Sequence, residues 1–254
     1  MTTIRLARFL ARAGVTSRRG AADLVRAGRV AINGAPPRGP GDPVDPERDR
    51  VTLDGRRLGM PVEAWFALNK PPGYVTSRLA SARFPTVFDL LPGASRSFVS
   101  VGRLDVLSEG LLLFTTDGVL AGRLMHPRWQ VPRTYRVWVT GRPRITEREA
   151  LARGVPVEGG EPVRPSAWRF LPDAKGGRLE VRLGEGRSRI VRRMAASLGL
   201  GVRRLVRIGY GPITLGTLGP GRSRPLRPGE VEALYGVAGL GAPAPVPSRS
   251  SREA

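Results

Sequence analysis

The chain has 254 residues, with 42 Lys or Arg against 21 Asp or Glu, a formal net charge of +21. It has no cysteine and one histidine, which excludes disulfides, thiolate nucleophiles, iron–sulfur clusters and every cysteine-based or multi-histidine metal site. A charge of this size repels itself in the folded state and points to a polyanionic partner, nucleic acid before membrane lipid.

No run of about 18 apolar residues is present, so no membrane-spanning helix is expected. Arginines interrupt the apolar stretch of the N-terminus, unlike a secretory signal, and the cytoplasm is the expected location. Residues 1–30 hold seven arginines against Asp23 alone, and residues 187–227 hold ten arginines and no acid. Two separated basic blocks suggest two contact surfaces on one long polyanion.

In chain order, Ile4, Leu6, Phe9, Leu10 and Ala13 recur at helical spacing and Gly14 supplies a stop. Thr16 or Ser17 can cap a second helix through Ala21, Leu24 and Val25 to Gly28. Arg29–Ile32 reads as a strand, Asn33-Gly34 as a tight turn, and Val51–Leu53 as another strand before Asp54-Gly55. Residues 35–50 read as a long loop and 54–63 as a hinge. The stretch from Arg5 to Gly34 resembles the S4-type RNA-binding domain, which implies that Arg18, Arg19 and Arg26 track an RNA backbone, with Arg5 beside them.

From Trp65 onward, strand-like runs at Trp65–Leu68, Phe98–Val101, Leu111–Thr115, Thr134–Thr140, Arg178–Leu183 and Val202–Ile208 mix with helical patterns at Val119–Met125, Thr146–Ala152 and Arg189–Leu198. They lack a regular helix per strand, so the fold class is α+β: a small N-terminal module (3–60) and a larger domain (63–235) on a mixed, mainly antiparallel sheet. Residues 236–254 are rich in small residues and proline and read as a disordered tail.

Composition leaves carboxylates, hydroxyls, arginines and tyrosines to carry chemistry. Gly102-Arg-Leu-Asp105 places Arg103 two residues before Asp105 in a loop between apolar strands, where a carboxylate can be held rigidly and still reach a substrate. Asp105 alone would read as a turn residue. Tyr135 begins a strand and Arg192 lies in an arginine row opening a helix. Asp105 and Glu109 are a poor glycosidase pair beside so much positive charge, and His126 has no second ligand.

Asn69-Lys-Pro-Pro-Gly73, Gly102–Gly118, Arg133-Thr-Tyr135, Glu185-Gly-Arg-Ser-Arg-Ile-Val-Arg-Arg-Met194 and Gly221-Arg-Ser-Arg-Pro-Leu226 together resemble the RsuA/RluB family of ribosomal-RNA pseudouridine synthases. The resemblance runs from about residue 3 to 235. It implies that Asp105 is the catalytic carboxylate, that Tyr135 stacks on the target uracil, that Arg192 pairs with Asp105 and that Arg103 helps displace the nucleotide. It also places Lys70, Arg187, Arg189 and Arg193 on RNA. No cofactor or metal is expected, and the enzyme is expected to be a monomer. Three positions depart from the family pattern: Ile190 for Gln, Arg133 for Lys and Ser108 for Thr.

Val206–Leu218 looks more like the large-subunit branch, which implies 23S rRNA as substrate. The alternatives are a small-subunit (16S) synthase and a non-catalytic rRNA-binding assembly factor.

Overall fold

The computed structural model describes residues 3–17, 19–60, 63–78, 83–92 and 97–241. The chain forms two compact units, one made of Met1–Ala64 with Gly93–Val99 and Thr115–Gly118, the other of the remainder. No helix among the described residues is long and apolar enough to cross a membrane.

In the first unit, β1 (Ile4–Arg5) leads into α1 (Leu6–Arg12), followed by α2 (Gly20–Arg26), β2 (Val30–Ile32), β3 (Pro43–Val44), β4 (Val51–Leu53) and β5 (Arg56–Arg57). Leu6, Phe9 and Leu10 form the buried stripe of α1, and the Ser17 hydroxyl accepts the Gly20 N–H at 3.1 Å where α2 begins. Asn33 takes a left-handed φ of 52° and Gly34 one of 86°, as a tight turn after β2 requires. The Asn33 side chain donates to Asp49 and accepts from the Arg50 N–H, both at 2.8 Å, so the excursion returns in register for β2 to pair with β4. Three elements were not expected: β1, where Ile4 was read into the first helix, β3, inside the loop, which pairs with β1, and β5, inside the expected hinge, which pairs with β4.

The second unit comprises β6 (Trp65–Lys70), β7 (Val99–Val101), β8 (Glu109–Thr115), α3 (Gly118–Met125), β9 (Arg133–Thr140), α4 (Ile145–Arg153), β10 (Val155–Val157), β11 (Gly160–Val163), β12 (Ala167–Asp173), β13 (Gly176–Leu183), α5 (Ile190–Ser197), β14 (Gly201–Tyr210), β15 (Ile213–Thr214), β16 (Ser223–Pro225) and α6 (Pro228–Val237), except that the end residues Val99 of β7, Thr115 of β8 and Gly118 of α3 fall in the first. Its sheet has the order β12-β13-β9-β14-β8-β6-β16, with β15 on β14 and β7 on β8. The pairings β12–β13, β13–β9, β9–β14 and β16–β6 are antiparallel and β14–β8 is parallel, the mixed sheet expected.

Strand β9 alternates cleanly: Arg133, Tyr135, Val137 and Val139 are buried, and the residues between them less so. The period of two sends Arg133 and Tyr135 to the same face. On that face α4, α5 and the β10–β11 hairpin bury one apolar cluster, and α3 and α6 bury a second around β6, β8 and Tyr210. The close approach of β8 to β14 depends on Gly110, with φ of 101°; a Cβ there would lie 2.3 Å from the Arg207 carbonyl oxygen.

Helix α6 was missed because its opening Pro228-Gly229 reads as loop, although proline suits the first helical position. Arg224 grips Glu230 of α6 with two bonds of 2.7 Å, and Glu230 also accepts the Arg227 N–H at 2.8 Å. The helix continues past residue 235, where the tail was expected to begin. Ala238 is fully buried and Leu240 packs on the core, so small apolar residues that look unstructured in sequence close the hydrophobic layer. The rest of the expected tail, 242–254, lies outside the described residues.

The Arg224 guanidinium holds the Glu230 carboxyl down at about 2, from an ordinary 4.5. A depressed carboxylate stabilises the fold above pH 4.5 and loses that contribution as the pH falls toward 2. Glu230→Gln is expected to cost about 2 kcal/mol at pH 7, measured by denaturant unfolding, with the difference from wild type disappearing by about pH 2.

Candidate active site

The loop carrying Asp105 is pinned from the Asn69–Gly73 side. The Thr76 hydroxyl donates to the Leu104 carbonyl at 2.9 Å and accepts the Leu104 N–H at 3.2 Å. The Gly73 N–H donates to the Val106 carbonyl at 2.9 Å, and the Ser108 N–H closes a turn on the Asp105 carbonyl at 3.0 Å. Within this frame the Asp105 side chain is exposed, as is Arg103.

Lys70, expected on RNA, is instead fully buried. Its ammonium donates to the carbonyls of Pro71 and Val106, each at 3.0 Å, and of Ser108 at 2.8 Å. Removing an ammonium from water costs several kcal/mol, and hydrogen bonds from a charged donor return about 1.5–3 kcal/mol each. The balance stays slightly against the charge. Burial lowers the Lys70 pKa from 10.5 to about 8, while Glu109 and Asp105 pull it the other way.

Asp105 faces a cleft of about 1190 Å³, larger than the roughly 300–1,000 Å³ of small-molecule sites. Tyr135, 7% exposed, and Arg207, 3% exposed, line it as cross-strand neighbours on β9 and β14. Arg133 donates to the Leu124 carbonyl at 3.2 Å and to the Tyr210 hydroxyl at 3.0 Å, so the departure from Lys supplies a fork that ties two elements together. Ile190 is buried at the start of α5 among Val191 and Met194; where the family has an amide, this chain has a core side chain.

Arg192, on α5, lines both this cleft and a second one of about 540 Å³ on the other side of Asp105. The two side chains face the same space, but among the described residues no ion pair joins them, contrary to expectation. Asp105 is exposed and Arg192 half-buried, and an ion pair open to water gains little. Glu109 is held by Arg204 through bonds of 2.9 and 2.7 Å, so it is not a second free carboxylate beside Asp105. His126 caps a short turn, its Nδ1 accepting the Arg128 N–H at 3.1 Å.

Of the other basic residues expected on RNA, Arg5, Arg19 and Arg189 are exposed, and Arg26 is exposed with Asp23 at 2.6 Å. Arg187 is bound by both carboxylate oxygens of Glu185, Arg193 is half-buried, and Arg18 lies outside the described residues. Sequence reasoning missed Thr76, Arg207 and Tyr210, and misread Lys70. One signal was available: Lys70 ends an apolar strand in a chain that otherwise uses lysine only at position 175. No cluster of three His, Asp or Glu among the described residues is placed to hold a metal ion.

The arrangement offers an exposed carboxylate on a fixed turn, a buried aromatic and a ring of guanidinium groups, as a site for extracting a base from a polyanion requires. The chain belongs to the RNA pseudouridylate synthase family, whose model matches residues 64–197; an S4 domain model matches residues 4–51. An uncharacterised RNA pseudouridine synthase of Aquifex aeolicus is 38% identical over 243 residues, 94% of this chain and 97% of its own. A ribosomal large subunit pseudouridine synthase B of Yersinia pestis is 41% identical over 222 residues, 83% of this chain and 68% of its own. A crystal structure of a pseudouridylate synthase superposes with a TM-score of 0.64 at 30% identity, covering 91% of this chain and 99% of that one. The protein is therefore an RNA pseudouridine synthase with an N-terminal S4 domain.

Replacing Lys70 by Met removes three hydrogen bonds, two of them to the Asp105 turn, and is expected to lower kcat at least tenfold while the RNA Kd changes less than about threefold. The group also sets a pH dependence. Between about pH 8 and 10.5 the unfolded chain keeps a proton that the folded chain has released, so wild-type stability should rise with pH across that window relative to Lys70→Met. Urea unfolding of both proteins at pH 7.5 and 9.5 checks the sign.

Proposed function

We propose that the enzyme converts a uridine of large-subunit (23S) rRNA to pseudouridine, with Asp105 as the reacting carboxylate. The observation that carries the role of Asp105 is its exposed side chain on a turn whose backbone is held by Thr76, Gly73 and Lys70. The similarity to large subunit synthases from Yersinia pestis and Pseudomonas aeruginosa supports the substrate class.

The reaction breaks the bond from C1′ to N1, turns the base over, joins C1′ to C5 and releases the C5 proton, while N1, freed from the sugar, takes up a proton from water. Atoms and electrons balance without a redox partner. A carboxylate can serve by attacking C6 or C1′, or by removing a proton to give a glycal. The base must leave its stack, and the face of Tyr135 can return about 1–3 kcal/mol by stacking. As RNA displaces water from the cleft, attraction between Asp105 and Arg192 strengthens, so their pairing belongs to the bound state. Arg103, exposed beside Asp105, helps displace the target nucleotide. Arg5, Arg18, Arg19, Arg26, Arg187, Arg189 and Arg193 neutralise flanking phosphates. The enzyme works as a monomer in the cytoplasm.

Mapping of 23S and 16S rRNA transcripts with carbodiimide after incubation with enzyme tests the substrate: one new stop is expected in 23S and none in 16S. A stop in 16S alone would move the enzyme to the small subunit. Binding of 23S RNA should weaken by at least tenfold between 50 and 200 mM salt, as counterion release by several arginine–phosphate contacts demands; a flat salt dependence would contradict the phosphate-tracking role of these arginines.

A further inference from the structure

Leu107 is 71% exposed, two residues from Asp105. A single exposed leucine is ordinary, and its exposure alone decides nothing. Its mounting is not ordinary. The carbonyls on either side of it, of Val106 and Ser108, are both held by the buried Lys70 ammonium, at 3.0 and 2.8 Å. The turn from Asp105 to Ser108 is closed by its own hydrogen bond, and Gly73 holds Val106 a second time. Leu107 therefore projects an apolar side chain from a backbone held by four hydrogen bonds, on the edge of the smaller cleft that Asp105, Arg189 and Arg192 also line.

We propose that Leu107 is a wedge that enters the RNA base stack beside the target uridine and holds open the gap the uridine leaves. The proposal rests on the synthase reading of Asp105. Two residues of chain span at most about 7 Å, which is about two base steps along one strand. The wedge and the reacting carboxylate thus address the same nucleotide or its immediate neighbour. The faces of stacked bases accept an aliphatic side chain, and leucine is among the side chains that part base steps in other nucleic-acid complexes. Arg103 and Arg189, both exposed, supply cations for the phosphates on either side.

The test places 2-aminopurine next to the uridine found by mapping, in an RNA fragment containing it, and binds the full-length Asp105→Asn protein, which holds the RNA without converting it. Fluorescence should rise several-fold on binding as the neighbour unstacks. Adding Leu107→Ser should remove most of that rise while the Kd changes less than about threefold, and Leu107→Met should retain it. Because the side chain is exposed, thermal melting should be unchanged in both variants. A full rise with Leu107→Ser, a Met variant as defective as Ser, or a Kd that weakens in step with the lost signal would overturn the wedge. These outcomes leave the synthase reading intact. Failure of the wild type to convert any uridine would remove that reading, and the wedge with it.

Discussion

The active-site loop depends on one buried charge. Lys70 spends its ammonium on three backbone carbonyls, two of them in the turn that carries Asp105. A neutral side chain could not satisfy three acceptors from one atom, and the planar fork of an arginine would not converge on them in the same way. The result is an Asp105 turn whose backbone is held in place, so its side chains can be exposed without being loosely placed. Preorganisation of this kind matters for an enzyme whose substrate must be distorted, because binding energy is then available for unstacking the base.

Around that turn the sheet supplies the remaining geometry. The alternation of β9 sends Tyr135 and Arg133 into the cleft face, the register of β14 sets Arg207 beside Tyr135, and Gly110 lets β14 close against β8. The arginines inside this region are engaged with backbone or with Tyr210, whereas those at the mouth are exposed. The same residue type therefore serves as scaffold when buried and as a candidate phosphate contact when exposed. Net charge cannot separate these roles; burial does.

Much of the architecture was legible. The strands β6, β8, β9, β13 and β14 and the helices α3, α4 and α5 follow from period-two and period-3.6 patterns, and the Asn33-Gly34 turn follows from its residues. The unread elements have physical reasons. Strand β12 lies at the sheet edge with a mostly exposed pattern, and β3, β5, β15 and β16 are two or three residues long. Helix α6 opens on Pro-Gly and ends in small residues whose burial depends on tertiary packing. At the site, Asp105, Tyr135, Arg103 and Arg192 could be named from motifs, and the structure places all four around one cleft. The place of Lys70 at the end of an apolar strand hinted at its inward turn, but its partners could not be read, because they are main-chain carbonyls up to 38 residues away. The absent Asp105–Arg192 pair was equally invisible, since a motif names residues and not how their side chains are oriented.

In the proposed reaction the Asp105 carboxylate performs the chemistry and does not merely help hold RNA. Release of tritium from 23S rRNA labelled at uracil C5, measured at saturating enzyme for the wild type and Asp105→Asn with RNA affinity alongside, tests it most directly, because joining C1′ to C5 must expel that hydrogen. Release by the wild type, none by Asp105→Asn, and affinities within about threefold are expected. Release by Asp105→Asn at a rate near wild type would contradict that role of the carboxylate.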